Sequence, residues 1–170
     1  MKKILICVLS CTLLFFGCSK IEKPKENIAT KDKINNVFLI DFGKPKLTFK
    51  GSGEYTIVNS KGLKENFDRM EKVMFFLGMV KYDKKFDCNF FASLYISVAQ
   101  ITYLVETWHF GSNADGLALA EIWYKPDNSK NRHAIVAVLT EIGLIFIEPQ
   151  TGKRIFLTDT EKDSIFFVKW

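Results

Sequence analysis

HAIVAVLTEIGLIFIEPQTG, residues 133–152, decides how the C-terminal half of this 170-residue chain is built. His133 opens a run of β-branched and small apolar residues, TEIG interrupts it, and LIFIE continues with the same character. Two such runs around a short connection containing glycine read as a β-hairpin. If the loop is even and sets Leu139 opposite Leu144, then Ile135 lies opposite Glu148. Strand parity in that case places His133 on the face of Glu148, one step along, within reach of its carboxylate. An odd loop without a bulge would send the two to opposite faces.

Around the hairpin lie three more β-rich runs, LALAEIWYK (117–125), RIFL (154–157) and SIFFVKW (164–170). The separators KPDNSKN, TEIG, PQTGK and TDTEKD carry strong turn chemistry, so the five runs predict a meandering antiparallel sheet. Upstream the period changes. Leu63, Phe67, Met70, Met74 and Leu77 recur at helical spacing and predict a helix over about 63–77, with Asn59 or Ser60 as its cap. Asp87 is a suitable N-cap for a second helix over about 88–104, whose apolar residues cover so much of its surface that it reads as central and largely buried. VFLIDF and EYTIV read as short strands, and KGSG between them as a turn. Helices first and sheet last make an α+β domain.

The N-terminus reads differently. Lys2 and Lys3 precede an apolar stretch, Ile4 to Phe16, that ends at Gly17-Cys18. That is the layout of a secretory signal, and the apolar run is short for a spanning helix, which needs ~20 residues. FFGC is similar to the lipobox of bacterial lipoproteins, in which the cysteine becomes the lipid-bearing first residue. The expectation is a signal peptide over 1–17, a lipid on Cys18, a flexible lysine-rich tether over 18–36 and one folded domain over 37–170. The protein would be exported and held to a membrane of the bacterial cell envelope by its lipid. Removing the first 17 of 170 residues leaves 153, enough for one core, and takes the formal charge from +5 to +3 through the loss of Lys2 and Lys3. That mild excess gives no indication of nucleic acid as a partner.

Of four cysteines, Cys7 and Cys11 leave with the signal and Cys18 carries lipid, so Cys88 alone remains. In an exported chain a single remaining thiol is either reactive or a small apolar core residue. Cys88 falls on the first turn of a predicted helix, where free N–H groups and the helix dipole lower a thiol pKa and can stabilise an oxyanion. A base must reach its sulfur and be oriented by a third group. His133 has Glu148 for that purpose. The second histidine, His109, has no carboxylate that strand geometry would supply, and beside Trp108 and Phe110 it reads as a packing residue. Gln150 is a loop residue, an oxyanion donor or an amide ligand.

A cysteine opening an apolar helix in FDCNFFAS, a His-Ala strand and then EPQTG together resemble the papain-like C-terminal domain of the mushroom agglutinin family. The resemblance covers roughly residues 82–170. It implies a papain-like fold and a thiol hydrolase with Cys88 as nucleophile, His133 as base and Glu148 as orienting acid, with Asn89 and Gln150 in auxiliary positions. In that family acidic residues after the cysteine help to bind calcium. Asn89 and Phe90 stand there in this chain, a poor pair for a hard cation, so no metal or other cofactor is expected. The substrate would be a peptide or amide, with cell-wall peptides one option for a membrane-held enzyme. The alternative is a non-catalytic binding or structural lipoprotein of the same fold, with Trp108, Trp123, Tyr124 and the loop KPDNSKNRH as its recognition surface.

Overall fold

The computed structural model describes residues 28–30, 32–34, 36–37, 53–79, 86–108 and 114–169. The signal sequence with Cys18, most of VFLIDF and His109 lie outside the described residues. The architecture is mixed α+β, with helices ahead of a C-terminal antiparallel sheet.

Two helices carry the helical half, α1 (Gly62–Phe76) and α2 (Cys88–Trp108). Leu63, Met70 and Asn66 form the buried side of α1. Neither Asn59 nor Ser60 caps it. Lys61 holds the N-cap position without a side-chain bond, while Asn59 Oδ1 accepts from Lys61 N at 2.9 Å in a turn before the helix. The Ser60 backbone N–H instead reaches the Glu141 carboxylate at 3.0 Å, tying the entrance of α1 to the tip of the hairpin. Leu77, read as a core position, is 51% exposed at the end of the helix.

Asp87 does cap α2. Its Oδ1 accepts from Phe90 N at 3.3 Å, and its carbonyl accepts from Phe91 N at 3.2 Å. Phe91, Ala92, Tyr95, Ala99, Tyr103 and Thr107 are buried, whereas Ile101, Leu104 and Trp108 are exposed. By length and composition α2 could cross a membrane. In the fold it is a helix with one face on the sheet and an apolar outer face, so its central position is right but it is less buried than expected. Tyr95 lies at the junction with α1, donating to the Leu63 carbonyl at 3.2 Å while its own carbonyl accepts from Asn66 Nδ2 at 3.2 Å.

The main sheet has the order β7-β6-β5-β4-β8, from β4 (Leu119–Tyr124), β5 (His133–Thr140), β6 (Gly143–Glu148), β7 (Lys153–Ile155) and β8 (Phe167–Lys169). From β4 to β7 it is the expected meander. The last strand departs from it, leaving β7 and pairing with β4 at the opposite edge, Trp123 against Phe167. TDTEKD explains the departure. It forms a short helix, α3 (Asp159–Asp163), with a Thr158–Glu161 capping box, and so carries the chain across where a tight turn would have returned it.

A smaller sheet of β1 (Ile28–Thr30), β2 (Glu54–Thr56) and β3 (Gly116–Leu117) lies beside the first. One residue, Ala118, separates β3 from β4. Its N–H donates to the Thr56 carbonyl, and its carbonyl accepts from Leu139 N, so the strands of the two sheets are joined through it. On the outer side of β3 the Gln100 amide of α2 makes both backbone bonds of Leu117, donating to its carbonyl at 3.1 Å and accepting from its N–H at 3.0 Å. The segment 18–36 is therefore not tether throughout. Ala29 and Ile34 are fully buried in the core, and β1 is a paired strand. Its few apolar residues stand among lysines, too thinly spaced to show a period.

The core has two parts, one on each side of the main sheet. Ala134, Val136, Val138, Ile145 and Ile147 face the α1/α2 layer with Ala92, Tyr95 and Ala99. Ile135, Ala137, Leu139, Phe146, Ile122 and Tyr124 face the other way, with Ala29, Ile34, Leu157 and Ile165.

Candidate functional site

The hairpin register decides the site. Thr140 pairs with Gly143 across the two-residue loop Glu141-Ile142, so the loop is even. Leu139 pairs with Leu144 and Val136 with Ile147, which carries Ile135 to the level of Glu148. Gly143, with φ of 111°, supplies the backbone conformation that closes the loop. His133 and Glu148 consequently share a face, and His133 Nε2 is 2.6 Å from Glu148 Oε2. Their side chains are 25% and 19% exposed, so the pair is shielded from water without being sealed from it.

The EPQTG turn fixes the carboxylate. Gln150 N donates to Glu148 Oε1 at 3.1 Å, and the Glu148 carbonyl accepts from Thr151 N at 3.1 Å and Gly152 N at 2.8 Å. Both carboxylate oxygens are thus occupied, one by the turn and one by the imidazole. Pro149 is fully buried. Gly152 has φ of 65°, and a Cβ placed there would lie 2.4 Å from the Phe67 ring of α1. The glycine lets the turn close against the helix layer.

Tyr124 completes this face. It pairs across the strands with His133, their ring centroids 5.9 Å apart at 65°. Burial pushes its phenol up to about 12, with the Glu161 and Glu148 carboxylates adding to the rise. It remains a neutral phenol through the range in which thiols and imidazoles titrate.

Cys88 occupies the first position of α2, directly after its cap, and is partly exposed. It packs against the core set that contains Ala134 and Ile147, the face opposite to His133 and Glu148. Because His133 is the first residue of β5, the imidazole sits at the end of the sheet. No hydrogen bond joins it to Cys88 among the described residues. The chain therefore brings two of the three candidate catalytic side chains into contact and places the third at the end of the same sheet. Glu148 binds Nε2, so Nδ1 is the nitrogen left for a thiol.

The auxiliary candidates are less engaged. Asn89 and Gln150 are partly buried, and Gln150 takes part through its backbone N–H. Asn66 is turned inward to the Tyr95 carbonyl, and its Oδ1 is buried without a partner among the described residues. No group of three or more His, Cys, Asp or Glu side chains that could hold a metal occurs among the described residues. Of the expected recognition surface, Trp108 is 81% exposed and most of the loop KPDNSKNRH is exposed, but two of its aromatics are turned inward. Tyr124 is buried, and the Trp123 indole is enclosed between Phe166 and Phe167, with ring centroids 6.2 and 6.1 Å away.

Sequence reasoning missed Glu121. It is 4% exposed, and its carboxylate accepts from Ser93 Oγ at 2.8 Å and from Trp123 Nε1 at 2.6 Å. The available signal was an acid inside the apolar run LALAEIWYK, in step with Leu119 and Trp123 and hence on the helix side of the sheet.

The fold and this arrangement define a mixed α+β domain with a histidine–glutamate pair at one end of its sheet. Among solved structures, the Polyporus squamosus lectin, a mushroom agglutinin, bound to the human-type influenza-binding epitope Neu5Aca2-6Galb1-4GlcNAc, shares this fold with a TM-score of 0.62 and 18% identity over 83% of this chain. A PSL1a-E64 complex matches with a TM-score of 0.60 and 14% identity, again over 83% of this chain. The chain spans about half the length of these structures, 49% and 50%. No family model and no curated protein matches the sequence.

Proposed function

We propose that this protein is a membrane-anchored papain-like thiol hydrolase that cleaves a peptide or amide bond with Cys88, His133 and Glu148. The observation that carries the proposal is the 2.6 Å bond between His133 Nε2 and Glu148. A carboxylate on one imidazole nitrogen fixes the tautomer and leaves the other to exchange a proton with a nucleophile. Cys88 is the nucleophile of the scheme, placed where the N-terminus of α2 favours a thiolate. The sulfur attacks the carbonyl carbon, the imidazolium at His133 gives its proton to the leaving amine, and water then releases the acyl group with His133 as base. Backbone N–H groups in the first turn of α2 supply part of the oxyanion site. Further support comes from the neighbour solved as a complex with E64, which makes that compound a rational probe here. A lipid on Cys18 holds the enzyme to the envelope membrane, where cell-wall peptides are within its reach.

The test is alkylation of Cys88 in the purified full chain across pH, followed at that residue by peptide mass spectrometry. The expected profile is more reactive toward neutral pH than that of a free thiol, and His133→Ala moves it upward. Glu148→Gln moves it less. A wild-type profile at the free-thiol position, unchanged by His133→Ala, would rule the proposal out.

A further inference from the structure

We infer that Glu121 is a positioning residue that sets the Cys88 helix at its working angle to the sheet bearing His133, an inference that rests on the thiol-hydrolase reading. Near this end of α2 Ala92 and Ala134 are fully buried, with the larger Phe91 and Tyr95 buried on the same helix, and apolar packing is by itself non-directional. Direction comes from hydrogen bonds. At the far end of α2, Gln100 binds the Leu117 backbone and Tyr103 shares a 2.8 Å hydrogen bond with Thr56. Toward the Cys88 end, the Ser93 hydroxyl on Glu121 plays this part. Ser93 lies five residues beyond Cys88, about 7.5 Å along the helix axis.

The other oxygen of the same carboxylate holds the Trp123 indole. Trp123 pairs with Ala134, next to His133, and packs against the core set that Cys88 also touches. One buried acid therefore connects the helix that carries the sulfur to the strand beside the one that carries the imidazole. An apolar residue would fill this space without the desolvation that a buried carboxylate demands. Two neutral donors from two different elements give it a directional role in return.

The test compares Cys88 alkylation against pH in the full chain for Glu121→Gln, Ser93→Ala and Ser93→Thr, with His133→Ala as reference. Glutamine offers one acceptor where the site needs two, and Ser93→Ala removes the helix-side donor with minimal change in shape. His133, Glu148, Tyr124 and the Asp87 cap are untouched by the Ser93 variants, which keep the test valid should Glu121→Gln fail to fold. The expected result is an upward shift of the profile in Glu121→Gln and Ser93→Ala, in the direction of His133→Ala, with Ser93→Thr restoring the wild-type position. A shift in His133→Ala with none in Ser93→Ala overturns the positioning role and leaves the thiol-hydrolase reading standing. A wild-type profile that His133→Ala does not move overturns both.

Discussion

Glu148 and Glu121 lie on opposite faces of one sheet and keep opposite company. Glu148 sits at the sheet's end, partly open to water, with one titratable partner and one backbone N–H. Glu121 is closed off beneath α2 and, among the described residues, bound to a hydroxyl and an indole, neither of which takes up its charge. Sequence chemistry alone ranks them equally, as acids in β-strands. The difference teaches that a carboxylate's work is set by what it can exchange with its partners. With an imidazole it can govern where a proton resides; with neutral donors it can only fix geometry.

The widest separation between the two is expected in stability. Glu121→Ala leaves the partly buried Ser93 hydroxyl and Trp123 N–H without an acceptor, and at the lower part of the ~1–3 kcal/mol range for each group the loss should be about 3 kcal/mol in denaturant unfolding. A cost below ~1 kcal/mol would show that water reaches the site. Next comes the turn that aims Glu148. Gly152→Ala must adopt a positive φ and push a methyl into the Phe67 ring, so about 3 kcal/mol is expected from thermal melts, with the Cys88 profile disturbed as well. A neutral result would mean that α1 yields easily.

Each face also carries a phenol that matters in alkali. Burial raises Tyr95 and Tyr124 to about 12. Their folded pKa lies above the unfolded value of 10.0, so their contribution is complete below pH 10 and lost as pH rises toward about 12. For Tyr95 alone this is roughly 2–3 kcal/mol, and Tyr95→Phe should flatten that part of the stability curve. An alkaline limb unchanged in the variant would assign it to other groups. The smallest effect is expected from Glu148→Gln, under ~1 kcal/mol in stability because the pair is partly exposed. If it destabilises as much as Glu121→Ala, the contrast between the two acids disappears.

Legibility followed the same line. The α1 and α2 helices, the hairpin and the His133–Glu148 contact were readable because each depends on local period or on parity across a two-residue loop. The Asp87 cap was readable for that reason too. Non-local choices were not. Ala29 and Ile34 enter the core from a lysine-rich segment whose apolar residues show no period. The last strand reaches β4 and not β7 because Thr158 and Glu161 make a capping box, a signal present in the sequence but read as a turn. Glu121 needed knowledge of which face α2 would cover.

The Gln100 amide has a consequence for how the chain avoids its own copies. A strand edge with free N–H and C=O groups is a template for intermolecular pairing. β3 is such an edge, and one side chain occupies the donor and acceptor of Leu117 much as a neighbouring strand would. The amide acts as a one-residue counterfeit strand, and a leucine in its place would reopen the edge to β-addition and aggregation.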